Sequence, residues 1–341
     1  MGRAGIEREP VLVAVSGGGD SMALLEIVSL LAQARALALH VAYVDHGMRA
    51  EAAVEQEMVC AAARERGARF HHAAIDPGSG DEVTLRDRRH RALQDVAREV
   101  GARFILLGHT SDDQIETIVF RFLRGAGLGG LAGMREVRPP FVRPLLATRR
   151  EELREVLRAQ GVSWAEDPSN VSERYARGRL RSGVLPAITR LFGRGALEHL
   201  LDVAPRWRAD DDYLETEAAR LLAYASRRGE SGVELDATAL AGAHPALRAR
   251  ALRRWIDDRT GRAPASRELA VVERWLASAE DDAGGVDVAG ARVVRARGRL
   301  AITPSTSAQP RAHSLIDIRV SSDDALRSVE EDEDQGERRR S

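Results

Sequence analysis

Residues Val11–Met22 constrain the fold of this chain more than any other stretch. Val11-Leu12-Val13-Ala14-Val15 is a run of five apolar residues, the length and type of a strand buried on both faces. Ser16-Gly17-Gly18-Gly19-Asp20-Ser21 follows, all small or polar. Met22, Ala23, Leu24, Leu25 and Ile27 then resume an apolar pattern suited to a helix packed on a sheet. The segment reads as strand, glycine-rich turn, helix. Such a turn aims several backbone N–H groups at one spot beside the positive end of a helix, which makes an anion site. Ser16 and Ser21 add hydroxyl donors. Asp20 is the misfit, because a carboxylate in a phosphate cradle repels the phosphate. It makes sense with a divalent cation such as Mg²⁺ held between Asp20 and phosphate oxygens. The plain alternative is a tight glycine turn that starts a helix.

Two familiar glycine loops are excluded. A Walker loop needs a Gly-Lys-Ser/Thr ending, which is absent. The dinucleotide fingerprint places a third glycine where Met22 stands. The Ser-Gly-Gly-x-Asp-Ser pattern instead resembles the pyrophosphate loop of enzymes that split ATP between the α and β phosphates.

The chain then alternates. Strands are expected at Leu37–Val44, Ala68–Ile75, Arg103–Leu107 and Phe141–Leu146. Helices are expected near Asp20–Ala34, Ala52–Arg66, Val83–Val100, Ser111–Leu123 and Arg149–Ala159. This predicts an α/β fold with a five-stranded, parallel, doubly wound sheet. Ligands in such sheets sit beyond the carboxyl ends of strands, where the strand order switches. Polar residues follow three strands at those ends: Ser16–Ser21, Asp45-His46, and His109–Asp113.

His109, Asp113 and Glu116 are spaced four and three apart, so a helix starting near Thr110 carries them on one face. A histidine and two carboxylates suit Mg²⁺ or an ammonium group; helix capping by Thr110, Ser111 and Asp112 is the alternative. Beyond Arg121 and Arg124, the stretch Gly125–Gly133 holds five glycines in nine residues. That predicts a mobile, close-approach loop, a lid or a polynucleotide contact. Arg174, Arg177 and Arg181 recur at helical spacing with Trp164 and Tyr175 nearby. The pattern suits RNA, or else a solvated basic face.

Composition removes several chemistries. All 51 basic residues are arginine, so there is neither a Schiff-base nor a Walker lysine. A net charge of −1 does not by itself point to nucleic acid. Cys60 is the single cysteine, which excludes an internal disulfide and a cysteine zinc site. No signal-like or membrane-length apolar run is present. A cytoplasmic protein with no membrane partner is expected, its oligomeric state open, a homodimer included.

The motifs together resemble the tRNA(Ile)-lysidine synthetases, within the superfamily of ATP pyrophosphatases. The residues that carry the likeness are Ser16–Ser21, Val44-Asp45-His46-Gly47-Met48-Arg49 and His109–Thr117. To these are added Arg124-Gly125-Ala126-Gly127, Gly130–Met134, Arg143-Pro144-Leu145-Leu146 and Glu166-Asp167-Pro168-Ser169-Asn170. They occur in the family's order over residues 10–187. The resemblance implies ATP and Mg²⁺ as cofactors, with free L-lysine and the CAU-anticodon isoleucine tRNA as substrates. C2 of the wobble cytidine is adenylated and lysine displaces AMP. It implies Ser16, Gly17, Gly18, Gly19, Asp20, Ser21, Asp45 and His46 around the nucleotide, with Asp20 on the metal. Asp20, Arg89, His109, Asp113 and Glu116 would carry the chemistry, and Arg124, Gly125, Gly127, Arg177 and Arg181 would meet tRNA. Two departures stand out: His90 follows Arg89 where the family usually has tyrosine, and Gly178 stands where it usually has asparagine.

The expected organisation is a catalytic domain over 1–187, a helical linker over 188–230, a small α+β domain contacting tRNA over 231–304, and a disordered tail over 305–341. Arg248, Arg250, Arg253 and Arg254 are candidate tRNA contacts or a solvated face. Three rivals are weighed. A tRNA thiolase would need more than one cysteine. An adenylating amide synthetase would lack the Arg124–Met134 loop. A non-catalytic ATP-binding module need not keep His109, Asp113 and Glu116.

Overall fold

The computed structural model describes residues 9–45, 52–76, 78, 82–166, 176–193, 195–229, 232–278 and 285–304. The chain forms two compact units that divide between Tyr213 and Leu214.

The first unit has strands β1 (Val11–Ala14), β2 (Leu39–Asp45), β3 (Arg69–Ala74), β4 (Ile105–Leu107), β5 (Val137–Arg138) and β6 (Phe141–Val142). Its helices are α1 (Gly19–Arg35), α2 (Ala52–Glu65), α3 (Glu82–Val100), α4 (Ser111–Leu123), α5 (Leu128–Leu131), α6 (Arg150–Ala159), α7 (Ala176–Arg179) and α8 (Leu185–Phe192), and α9 (Gly195–Ala225) begins in it and ends in the second unit. A π turn, Leu180–Val184, joins α7 to α8. The sheet order is β3-β2-β1-β4-β6-β5. Five strands run parallel as expected, and β5 adds a two-residue antiparallel edge paired to β6.

The apolar run of β1 faces both ways. Val11, Val13 and Val15 join Met22, Leu24, Leu25 and Val28 of α1, Val59 of α2, and Leu153 and Leu157 of α6 in one core. Leu12 points to the other face, with Leu93, Val96 and Ala97 of α3 and Ile105 of β4. This period of two is why an unbroken apolar strand fits only between two helical layers. The strand order reverses between β1 and β4, so the segments leaving their carboxyl ends part around a crevice. A third cluster, Ile115, Val119 and Leu180 with Leu197, Leu200 and Leu201, fixes α4 against the π turn and α9.

The second unit is α+β. Strands β7 (Ser226–Gly229), β8 (Gly232–Asp236), β9 (Gly285–Val288), β10 (Ala291–Ala296) and β11 (Arg299–Pro304) form an antiparallel sheet in the order β7-β8-β11-β10-β9. Helices α10 (Ala237–Ala241), α11 (Pro245–Thr260) and α12 (Ser266–Ala277) complete it. Leu252, Trp255, Ile256, Val272 and Leu276 pack with Leu235, Val293 and Leu300 of the sheet. The β7–β8 hairpin is not foreshadowed by the sequence, which predicts a helical linker over 188–230. The Ser226 hydroxyl donates to the Leu222 carbonyl at 2.6 Å and the chain turns into strand there. The expected tail, 305–341, lies outside the described residues, as do His46, the Asp167–Asn170 turn, Arg174 and Tyr175.

Candidate active site

The glycine turn sits at the crevice. Gly17 takes φ +86°, a left-handed conformation that favours glycine. The Ser21 hydroxyl accepts from the Ser16 N–H at 3.1 Å and donates to the Gly18 carbonyl at 2.8 Å, closing the turn over the start of α1. A segment from beyond α6 straps the loop down. The Ala165 N–H donates to the Gly17 carbonyl at 2.9 Å, and a side chain on Gly19 would meet the Trp164 ring at 3.3 Å. Trp164, read from sequence as an RNA aromatic, thus belongs to the wall of the phosphate loop.

The strand β4 brings a second turn against the first. A Cβ on Gly108 would lie 3.0 Å from the Asp20 carbonyl oxygen and the Ser21 Cα, so only glycine allows the two turns to touch. Thr110 then caps α4. Its N–H and hydroxyl donate to Asp113 Oδ2 at 2.8 and 3.1 Å, and its Oγ1 accepts from the Asp113 N–H. Asp113 therefore does both things the sequence allowed: it belongs to a capping box and keeps Oδ1 for the site.

Two arginines meet the carboxylates. Arg150 donates from Nε to Asp20 Oδ2 and from Nη2 to Asp113 Oδ1, both at 2.9 Å. Arg181 grips Glu116, Nε to Oε1 at 2.6 Å and Nη2 to Oε2 at 2.7 Å. Arg150 is absent from the sequence-based site. A hint was present: a cation at a helix start opposes the helix dipole, and Arg149 and Arg150 both stand at the start of α6.

These groups border two cavities. The larger, about 600 Å³, is lined by the Ser16–Ser21 turn, Asp45, Trp164, Arg150 and Arg154. The smaller, about 310 Å³, is lined by Glu116, Met134 and five arginines, Arg86, Arg89, Arg121, Arg177 and Arg181. Arg89, His109, Asp113 and Arg181 line both. Burial pushes His109 down to about 4 although Asp113 pulls the other way, so its imidazole is neutral at pH 7. Its Nδ1 is buried without a hydrogen-bond partner. Burial raises the Asp20 carboxyl, against the pull of Arg150. Burial and then Arg86 lower the Arg89 guanidinium.

The glycine-rich stretch after α4 is pinned rather than loose. Gln114 donates to the Met134 carbonyl at 3.0 Å and accepts from its N–H at 2.7 Å. Arg121 donates to the carbonyls of Gly130 and Gly133 at 3.2 and 3.0 Å, and Arg208 to those of Ala132 and Met134. Gly127 starts the short α5 and Gly125 closes the turn before it. Arg124 and Arg177 flank Phe120, each guanidinium 5.4 Å from the ring centre. In the second unit, Arg248 pairs with Glu273, Arg250 with Glu215 and Arg254 with Asp258.

The chain matches the PP-loop domain family over residues 4–188 and the TilS substrate binding domain over residues 235–301. It is 36% identical over 300 residues to the tRNA(Ile)-lysidine synthase of Nocardia farcinica, covering 86% of this chain and 91% of that one. It is likewise 36% identical over 304 residues to that of Salinispora arenicola, covering 86% and 90%. The chain belongs to the tRNA(Ile)-lysidine synthase family. Every described site residue, from Ser16 to Arg181, falls within the matched PP-loop domain. In fold the chain also resembles a U34-tRNA thiolase of Methanococcus maripaludis that holds a 4Fe–4S cluster, with a TM-score of 0.50 and 15% identity over 59% of this chain and 72% of that one. Such clusters are held by several cysteine thiolates, and this chain has Cys60 alone.

Proposed function

We propose that this protein converts the wobble cytidine of the CAU-anticodon isoleucine tRNA to lysidine, using ATP and free lysine. The observation that carries the reading is the pair of cavities with a shared wall of Arg89, His109, Asp113 and Arg181. A reaction that first adenylates a base and then replaces AMP by an amine needs a nucleotide site opening onto a second substrate site.

In this reading the Ser16–Ser21 turn holds the ATP phosphates through its amides and hydroxyls, with Asp45 and His46 beside the nucleotide. Asp20 holds Mg²⁺. The donor set fits: Asp20 lines the phosphate cavity with its side chain 22% exposed, and Mg²⁺ is ordinarily held by one or two carboxylates with phosphate oxygens and water. When bound, the ion neutralises charge on the phosphates. Arg89 stabilises the α-phosphate as the cytidine O2 attacks it and pyrophosphate leaves. Lysine's attacking amine, in its neutral form, then adds to C2, AMP departs with the oxygen, and the amine's proton passes to His109 or a neighbouring carboxylate. Asp113 and Glu116 hold lysine's ammonium groups, and neutral His109 accepts a hydrogen bond without repelling them. Arg124, Gly125, Gly127, Arg177 and Arg181 face the tRNA.

Residues 1–187 serve as the catalytic domain, 188–230 as linker and 231–304 as tRNA contact. Each residue given a role comes from one chain, so the reading holds for a monomer and a homodimer alike. No described helix is long and apolar enough to cross a membrane; acting on tRNA, the protein would work in the cytoplasm. The test is ATP-dependent transfer of labelled lysine to that tRNA.

A further inference from the structure

Arg150 sits where helix electrostatics disfavour it and where the site needs it. As the first residue of α6 it brings a guanidinium to the positive end of a helix. Three carboxylates offset that. Its N–H donates to Asp112 Oδ2 at 2.8 Å, its Nε to Asp20 Oδ2 at 2.9 Å and its Nη2 to Asp113 Oδ1 at 2.9 Å. Asp20 belongs to α1, the helix of the phosphate loop; Asp112 and Asp113 belong to the first turn of α4. One residue thus ties α1, α4 and α6 together over the larger cavity, which its 22% exposed side chain lines. Asp20 lines that cavity, whereas Asp113 lines both.

We propose that Arg150 is a positioning residue that fixes Asp20 against Asp113 and so couples occupation of the nucleotide cavity to occupation of the second cavity. Two carboxylates held this near one another repel, and a planar fork can satisfy both with separate N–H groups. A ligand that draws on Asp20 changes what Arg150 offers Asp113, and Asp113 is part of the second pocket. The coupling is reciprocal by linkage. The identity of the second ligand as lysine rests on the function proposed above.

The test uses the full chain with Mg²⁺ and without tRNA, so that no lysine transfer intervenes. Calorimetry measures ATP affinity with and without saturating lysine, for wild type, Arg150→Ala and Arg150→Lys, each checked by thermal unfolding. Lysine at position 150 keeps the charge but reaches a single carboxylate, so it stands in if the alanine variant does not fold. In wild type, lysine is expected to change ATP affinity about fivefold or more. In either folded variant that factor falls to about one, and millimolar guanidinium ion restores it in Arg150→Ala. A folded variant with the wild-type factor, or a wild type that binds both ligands independently, overturns the proposal. A wild type that binds ATP but no lysine overturns the function reading instead.

Discussion

Arg181 and Glu116 are joined by two hydrogen bonds across 65 residues of sequence, Nε to Oε1 at 2.6 Å and Nη2 to Oε2 at 2.7 Å. The Glu116 side chain is 9% exposed and that of Arg181 32%. The pair forms one edge of the smaller cavity and anchors the π turn to α4. Removing the arginine leaves a nearly buried carboxylate without its fork. Arg181→Ala is expected to lower stability by about 1–2 kcal/mol, an amount reduced by the partial exposure of the arginine. Arg181→Lys, which keeps the charge but not the fork, costs less. Denaturant unfolding of the three proteins checks this, and equal midpoints would show that the pair does not hold the fold.

Gly108 sets how closely the turn after β4 approaches the Ser16–Ser21 turn. An alanine Cβ would meet backbone atoms of Asp20 and Ser21 at 3.0 Å, and backbone cannot swing aside as a side chain can. Gly108→Ala should destabilise by about 1–3 kcal/mol and raise the KM for ATP several-fold by displacing the phosphate loop. An unchanged KM for ATP would show that the turns have room to part.

Gln114 pins the glycine-rich stretch through two buried hydrogen bonds to Met134. Gln114→Leu removes both and leaves the Met134 N–H unsatisfied, while the Met134 carbonyl still accepts from Arg208, for about 1–2 kcal/mol. If this stretch meets tRNA as proposed, the KM for tRNA rises several-fold while that for ATP holds. A rise confined to ATP would assign the stretch to the nucleotide instead.

His90 and His109 make the fold acid-sensitive. A histidine in an unfolded chain takes up its proton near pH 6.5, whereas burial first, with arginine neighbours contributing, holds both down to about 4 in the folded protein. The unfolded chain therefore binds more protons between those limits. Stability falls as pH drops below about 6.5 and levels off below about 4, with His109 accounting for roughly 2 kcal/mol at pH 5 and the less buried His90, screened by solvent, for about 1. His90 also packs against Phe141, the rings tilted and their centres 4.4 Å apart, so His90→Phe keeps an aromatic there. Its urea midpoint should move less than that of wild type between pH 7 and 5; an equal movement would contradict the assignment.

The sheet and its crevice were legible because they rest on local patterns. An apolar run followed by Ser16–Ser21, and another followed by Gly108–Asp113, already name the strand ends that meet at the switch in strand order. The arginine that joins Asp20 to Asp113 was not legible, since it comes from 130 residues beyond Asp20 and nothing local marks it except its awkward place at a helix start. The five glycines of Gly125–Gly133 suggested a mobile loop because composition reports backbone freedom. It does not report the clasps supplied by Gln114, Arg121 and Arg208 from other helices. The β7–β8 hairpin escaped because Ser226-Arg227-Arg228-Gly229 has no alternating apolar face; its pairing is set by partners such as Leu235.

The most direct test of the account is transfer of labelled lysine. Purified protein is incubated with ATP, Mg²⁺, labelled lysine and the CAU-anticodon isoleucine tRNA, beside Asp20→Ala, Asp113→Ala and Cys60→Ser variants. The account predicts label in that tRNA only when ATP is present, with release of AMP and pyrophosphate, loss of transfer in both aspartate variants and retention in Cys60→Ser. A folded wild-type protein that consumes ATP in the presence of this tRNA but attaches no lysine to it would contradict the account.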